Sequence, residues 1–499
     1  MANENPPEPS RRRARWQPGV FGLLAICVGA FAVTLPFTPF GPGGLRFGEA
    51  EPESVTVDAT PPLGIAELMI VGDSTAQGSA GDYTWRYRLW THLNEDSEVE
   101  ARFVGPYDEL FSLAGGEDAA TAYAEPDFDT EHASVWGTTV ERLADEIGGH
   151  VAEFEPDYLL VMAGLNDMLT GSDADAVGNR IADLVATARV ARGDLQVVVS
   201  ELPPVWGTTD DSRLNEEIAA FNAALPGLAA ELTGEDSPVV VARSAEEYAP
   251  ADDNWDPVHP NANGEVKIAA AFADTLADEL GLGEPYARPL PDLPVGPRIA
   301  PEVSVEPDPE DDGSVRLTWD PVPGATNYEV EQRRVEPDPD DQVPVPGPVT
   351  GFADNPRGLR VEHLLAGATY SFVVRPLRGE DAGEEAEVRV ELDLPAPAAP
   401  EDLTFTSGNV SLEWSGDTTA THFAVWRRAL DCAEDDPTDC EPVDDDDPAD
   451  APDSWEAVTV TDESSWEVDT VGASGYEFLV RSHRDFVEGE FSAPVTSTD

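Results

Sequence analysis

From about residue 55 to residue 283 the chain repeats one alternation, a short uninterrupted apolar run followed by a longer amphipathic stretch. AELMIVGDS, VEARFVGP, YLLVMAG, LQVVVSELPP and SPVVVARS carry the apolar runs; WRYRLWTHL, VERLADEIGGHVAEF, GNRIADLVATARVA, EEIAAFNAALPGLAAEL and GEVKIAAAFADTLADEL have helical spacing. A strand that is apolar at successive positions has no face to give to water, so both faces must be covered. Helices between such strands provide the cover, and the pattern predicts a three-layer α/β/α domain over 55–284 built on a parallel sheet. The proline-rich GEPYARPLPDLPVGP closes it, and residues 285–296 are expected to form a stiff linker.

Beyond the linker the pattern changes to short alternating strands with turns. SVRLTWDPVPGATNYEVEQRR (314–334) and HLLAGATYSFVVRPL (363–377) are echoed by NVSLEWSGDTTATHFAVWRR (409–428) and GASGYEFLVRSHR (472–484). Both halves resemble fibronectin type III modules, which implies two all-β sandwiches over 297–395 and 396–499. In the first, the resemblance puts Trp319 and Tyr328 in the core and makes Leu364 and Tyr370 a tyrosine corner; Trp414 and Tyr476 take the corresponding places in the second. Inside the second lies CEPVDDDDPADAPD, too acidic and proline-rich to pack and expected to be a mobile loop. It lacks the spaced oxygen ligands and central glycine of a calcium loop, so it reads as solvated charge.

Charge limits the partners. There are 29 basic residues against 99 acidic ones, a net of −70, and Lys267 is the only lysine. Such a field repels nucleic acid and anionic lipid, so the folded body is expected to bind neither. Disorder does not follow, because 41% of residues are hydrophobic and 11 are tryptophan. The expected setting is a salty one, since at about 1 M salt the Debye length shrinks to roughly 3 Å and self-repulsion is screened.

Residues 1–54 read as an export segment. Arg11, Arg12, Arg13 and Arg15 precede an uncharged apolar stretch centred on Val20–Leu35, about right for either a long signal peptide or a short membrane anchor. Ala30-Phe31-Ala32 is the candidate cleavage site, and bulky Ile26 before Cys27 argues against lipid attachment. Both outcomes put the rest of the chain outside the cytoplasm, at the cell surface or released. There Cys432 and Cys440 are expected to form a disulfide across a short loop.

The chemistry centres on IVGDSTAQG, residues 70–78, where Ser74 follows an apolar run. In an open α/β sheet, ligands bind beyond the carboxyl ends of strands, which is where this serine falls. A nucleophilic serine needs a base, a group to orient the base, and donors for the oxyanion. Of seven histidines, His92 and His150 read as surface or capping residues, with Gly148-Gly149 read as a helix stop. His132 lies in a loop, open as a substrate contact, and His363, His422 and His483 fall in the C-terminal modules. His259 stands out: in NWDPVHPNANGEVKIA it follows Asp256 by three residues, a spacing that lets both side chains share one rim. Asn166 in LLVMAGLNDML and Gly137 in HASVWGTTVERL fall where further segments turn, as candidate oxyanion donors. Singly, each is a turn glycine or a helix cap.

In order, Gly72-Asp73-Ser74, Gly137, Gly164-Leu165-Asn166-Asp167 and Asp256-Pro-Val-His259 resemble the four blocks of the SGNH hydrolases, the GDSL-like esterase and lipase family. Thr75 stands where the family name has leucine, and the second block rests on one glycine. The resemblance covers about residues 65–280 and implies a flavodoxin-like sheet and a serine esterase that needs no metal or organic cofactor. It makes Ser74 the nucleophile, His259 the base and Asp256 its partner, with the backbone N–H groups of Ser74 and Gly137 and the Asn166 amide as the oxyanion hole. The familiar α/β-hydrolase is excluded, because Ser74 lacks the Gly-x-Ser-x-Gly setting. Expected substrates are carboxylic esters with short acyl or acetyl groups, on an acylated polysaccharide or, less in keeping with the absence of a long apolar lid segment, a lipid. An acyltransferase on the same site and an inactive extracellular binding protein remain as alternatives, and the sequence gives no oligomeric state.

Overall fold

The computed structural model describes residues 64–97, 99–113, 117–308, 313–345, 357–406, 411–433, 436–442, 454–468 and 475–497. The export or anchor segment with Cys27 and the core of the acidic run, residues 443–453, lie outside the described residues. Among the described residues no helix is long and apolar enough to cross a membrane. The chain divides into two compact units, Met1–Val295 and Gly296–Asp499.

Six strands make one parallel sheet in the first unit: β1 Ala66–Gly72, β2 Ala101–Phe103, β3 Ala133–Ser134, β4 Tyr158–Met162, β5 Gln196–Ser200 and β6 Val239–Ala242. Their spatial order is β2-β1-β4-β5-β6, with β3 pairing the end of β1. Setting two-residue β3 aside, this is the 2-1-3-4-5 order of a doubly wound sheet, in which the winding reverses beside β1. The helices that bear on the site are α1 Ser74–Gln77, α2 Thr84–Thr91, α3 Val140–Phe154, α4 Leu165–Leu169, α5 Ala174–Ala191, α6 Asp211–Leu232 and α7 Ala262–Leu280.

Side-chain alternation explains the three layers. Met69 and Val71 of β1, with Leu159 and Val161 of β4, pack in one core with Leu143 of α3, Ile181 of α5 and Phe221 of α6. Leu68 and Ile70, with Leu160 and Met162, pack in a second core with Trp85 of α2 and Phe272 of α7. Each such side chain removed from water contributes about 1.5–3 kcal/mol, so a strand buried on both faces is anchored twice over.

Two local expectations are corrected. Gly148 and Gly149 do not stop a helix; they lie inside α3, where a Cβ on Gly148 would sit 3.3 Å from Thr187 Cγ2 of α5. Packing of the apolar stripe Val140, Leu143, Ile147 and Val151 outweighs the low helix propensity of two glycines. The proline-rich stretch after α7 lies against the first unit instead of standing off: Tyr286 packs on His92 with ring centroids 4.6 Å apart, and Leu293 N–H donates to Asn263 Oδ1 at 3.0 Å.

The second unit is built of antiparallel sheets. Trp319, Tyr328, Leu364, Tyr370 and Phe372 share one core, and Leu365 N–H donates to the Tyr370 hydroxyl at 3.0 Å. A second core gathers Leu412, Trp414, Phe423, Val425 and Phe478, with Tyr476 half-buried against it. Cys432 and Cys440 are register partners on adjacent antiparallel strands and form a disulfide.

Candidate active site

The serine lies in a turn that is fixed on every side. At Gly72 a Cβ would fall 2.2 Å from Met162 O, so only glycine lets β1 run beside β4 to its end. Asp73 then caps α1, its Oδ1 accepting from Thr75 N–H (3.1 Å) and the Thr75 hydroxyl (2.8 Å). Ser74 is the first residue of α1, and its carbonyl accepts from Gly78 N–H at 3.0 Å. The next three carbonyls are held by α2. Trp85 Nε1–H donates to Thr75 O (3.0 Å), Arg86 Nε–H to Ala76 O (3.0 Å) and Arg86 Nη2–H to Gln77 O (2.9 Å). Arg86 is wholly buried and also donates to Thr130 O and the Tyr123 hydroxyl.

The Asp-x-x-His loop is held as closely. Asp256 Oδ1 accepts from Val258 N–H (2.9 Å) and His259 N–H (2.7 Å), while Oδ2 accepts from His259 Nδ1–H at 2.7 Å. One carboxylate thus folds its own loop and fixes the ring that follows. Burial pushes the Asp256 carboxyl up, but the His259 charge and these hydrogen bonds outweigh it and leave the group below its ordinary value. The buried His259 ring stacks on Trp136 (centroids 4.4 Å, planes 20° apart) and Trp255 (5.6 Å, 18°), and Phe111 stacks on Trp136 in turn. The only lysine braces the loop: Lys267 Nζ donates to Asp253 Oδ2 at 2.7 Å.

Ser74 and His259 line one small cleft, about 250 Å³ including its open mouth, together with Trp85, Trp136, Asp82 and Glu265. The sheet register brings the remaining parts to the same rim. Gly72 is the register partner of both Ser134 in β3 and Met162 in β4, so Ser74, Gly137 and Asn166 follow the carboxyl ends of three neighbouring strands. That rim is the switch point of the sheet, where open α/β folds bind ligands. Gly137 has φ +72°, and nothing lies within 4 Å of the place a Cβ would take. The Asn166 side-chain nitrogen is buried and has no hydrogen-bond partner among the described residues. A buried amide donor left unpaired is costly, and a developing oxyanion would satisfy it.

Residues 70–266 match the GDSL-like Lipase/Acylhydrolase family. This stretch is a GDSL-like lipase/acylhydrolase domain. Ser74, Gly137, Asn166, Asp256 and His259 all fall inside it, and the domain is a carboxylic ester hydrolase. No curated protein matches the chain. Among solved structures, it is similar to a carbohydrate esterase family 3 from Talaromyces cellulolyticus at 25% identity, over 43% of this chain and 98% of that one, with a TM-score of 0.37. A Clostridium thermocellum family 3 carbohydrate esterase is 21% identical over 44% of this chain and 98% of that one, TM-score 0.36. Axe2, an acetylxylan esterase from Geobacillus stearothermophilus, is 18% identical over 45% of this chain and 97% of that one, TM-score 0.32.

Two histidines of the hydrolase domain depart from their sequence reading. His132, open as a substrate contact in sequence, is wholly buried, with Nε2 3.0 Å from Glu109 O and Nδ1 accepting from Ser134 N–H at 3.1 Å. Burial first, then the Arg86 charge, pushes it well below the usual histidine range, so it is a neutral structural group. His92, read as a surface or capping residue, is buried with Nε2 2.7 Å from Glu284 O. Asp167 supports the turn carrying Asn166, a contact that the sequence did not mark. Its Oδ2 accepts from Val140 N–H at the start of α3 (3.0 Å) and its Oδ1 from Arg180 of α5 (2.6 Å), which fixes the turn carrying Asn166. Among the described residues no group of three metal-ligating side chains comes together.

Proposed function

We propose that the chain is an extracytoplasmic serine esterase that removes short acyl groups, acetyl above all, from a glycan. Ser74 Oγ attacks the ester carbonyl carbon while His259 Nε2 takes its proton, and Asp256 stabilises the resulting imidazolium. The N–H groups of Ser74 and Gly137 and the Asn166 amide bind the oxyanion. Collapse expels the alcohol, to which His259 returns the proton, and leaves an acyl-serine. Water, deprotonated by the same imidazole, attacks that ester; the bond to Ser74 Oγ breaks, the proton returns from His259 to Ser74, and the carboxylic acid leaves.

The observation that carries this reading is the Asp256 Oδ2 to His259 Nδ1 bond of 2.7 Å, with His259 and Ser74 on the walls of one cleft. The small cleft, walled in part by Trp85 and Trp136, favours an acyl group of few carbons. The Cys432–Cys440 disulfide suits an oxidising compartment, and fibronectin type III-like modules behind an exported catalytic domain suit work on polysaccharide. Ser74→Ala is expected to abolish turnover of p-nitrophenyl acetate while the melting temperature stays within about 4 °C. In the wild type, acetate release from acetylated polysaccharides and hydrolysis of long-chain esters, measured side by side, test the substrate: preference for the long chains would overturn the short-acyl glycan reading.

A further inference from the structure

We infer that the cleft selects against charge: it takes esters of uncharged alcohols and turns away esters that carry a carboxylate or phosphate next to the acyl group. This rests on the esterase reading above. Two of the residues that line the cleft with Ser74 and His259 are acids, Asp82 and Glu265, and none of the described residues lining it is lysine or arginine.

Both acids are set in place. Asp82 Oδ2 accepts from Ser79 N–H (2.6 Å) and the Ser79 hydroxyl (3.1 Å). It lies 3.5 Å from where a Cβ on Gly78 would be, and Gly78 N–H is the donor that closes the Ser74 turn. Glu265, buried on α7, accepts from Thr84 N–H through Oε1 at 2.8 Å. Two arginines of α2 are already engaged. Arg86 is used on the carbonyls of α1 and on Thr130 and Tyr123, and Arg88 reaches Glu265 Oε2 at 3.7 Å, offsetting part of that charge. Asp73 and Asp256 add two more acids to the serine and histidine segments. An anionic substituent here meets carboxylates, and the described lining residues offer it no lysine or arginine, the repulsive element from which specificity is built.

The short range of the effect separates it from the field of the whole chain. At about 1 M salt, charges more than roughly 3 Å apart across solvent are screened, whereas contacts inside a cleft are screened far less. The test therefore uses 1 M NaCl and the full chain. Its substrates are one monoacetylated methyl glucuronoside as the free carboxylate and the same sugar as its uncharged carboxamide, which match in size. The wild type is expected to hydrolyse the carboxamide with a kcat/KM at least about tenfold higher, and Asp82→Asn to shrink that ratio several-fold. Glu153→Gln, on the exposed side of α3, is expected to leave the ratio unchanged, which controls for loss of one charge anywhere. Equal rates on the two sugars in the wild type, or an Asp82→Asn ratio equal to that of the wild type, would overturn the inference. Failure to hydrolyse either sugar or p-nitrophenyl acetate would instead overturn the esterase reading, and this inference with it.

Discussion

Asp256 uses its two oxygens differently, one for the backbone of its own loop and one for the imidazole, so charge and geometry can be separated by substitution. Asp256→Asn keeps the size but replaces the acceptor facing Nδ1, and is expected to lower kcat about a thousandfold or more in p-nitrophenyl acetate assays. The pH dependence has a defined sign. Because the Asp256 carboxyl is held below its ordinary value, it stays ionised as pH falls through the usual carboxylate range, and the His259 contact it makes is kept there. In stability the same depression contributes above about pH 4 and is lost as pH falls through the lowered value, so stability should fall with acid over that range, and Asp256→Asn, which has no such group, should show a shallower fall in urea unfolding. Asn166→Ala, which removes the unpaired buried amide, is expected to cost about a hundredfold in kcat with little change in KM. That Ser74 and His259 share a cleft and that Asp256 holds the His259 ring could be read in the sequence, because a strand-end serine and a three-residue Asp–His spacing are local signals. Arg86, Asp167 and the burial of His132 could not, since their roles depend on how separate elements pack together.

At the scale of elements, the serine turn is short and has little stability of its own, and α2 supplies what it lacks. Trp85 donates to Thr75 O while its ring stacks on Phe272, centroids 4.6 Å apart, so Trp85→Phe removes the hydrogen bond and keeps most of the packing. The expected result is a kcat reduced about tenfold with KM and melting temperature nearly unchanged; a fall in melting temperature without loss of kcat would assign Trp85 to packing alone. Arg86→Met leaves buried carbonyls unpaired at the end of α1 and is expected to destabilise by about 2–4 kcal/mol, read by urea unfolding. Strands and helices of the α/β unit could be placed from apolar periodicity because the central strands β4 and β5 are buried at every position and β1 at all but Glu67. The glycine pair inside α3 and the docked proline-rich segment could not, because there tertiary packing outweighs local propensity.

For the whole molecule, a net charge of −70 makes self-repulsion a large opposing term at low ionic strength. The melting temperature is expected to rise by several degrees between about 0.05 M and 1 M NaCl, followed by tryptophan fluorescence; a fall would contradict the reading of a surface made for salt. The esterase chemistry depends above all on which side chain is the nucleophile. Treating the full chain with a fluorophosphonate and mapping the adduct by peptide mass spectrometry should give one modified site, Ser74, with labelling lost in Ser74→Ala and slowed in His259→Ala. Modification of another residue, or continued ester hydrolysis with Ser74 unlabelled and replaced by alanine, would contradict it.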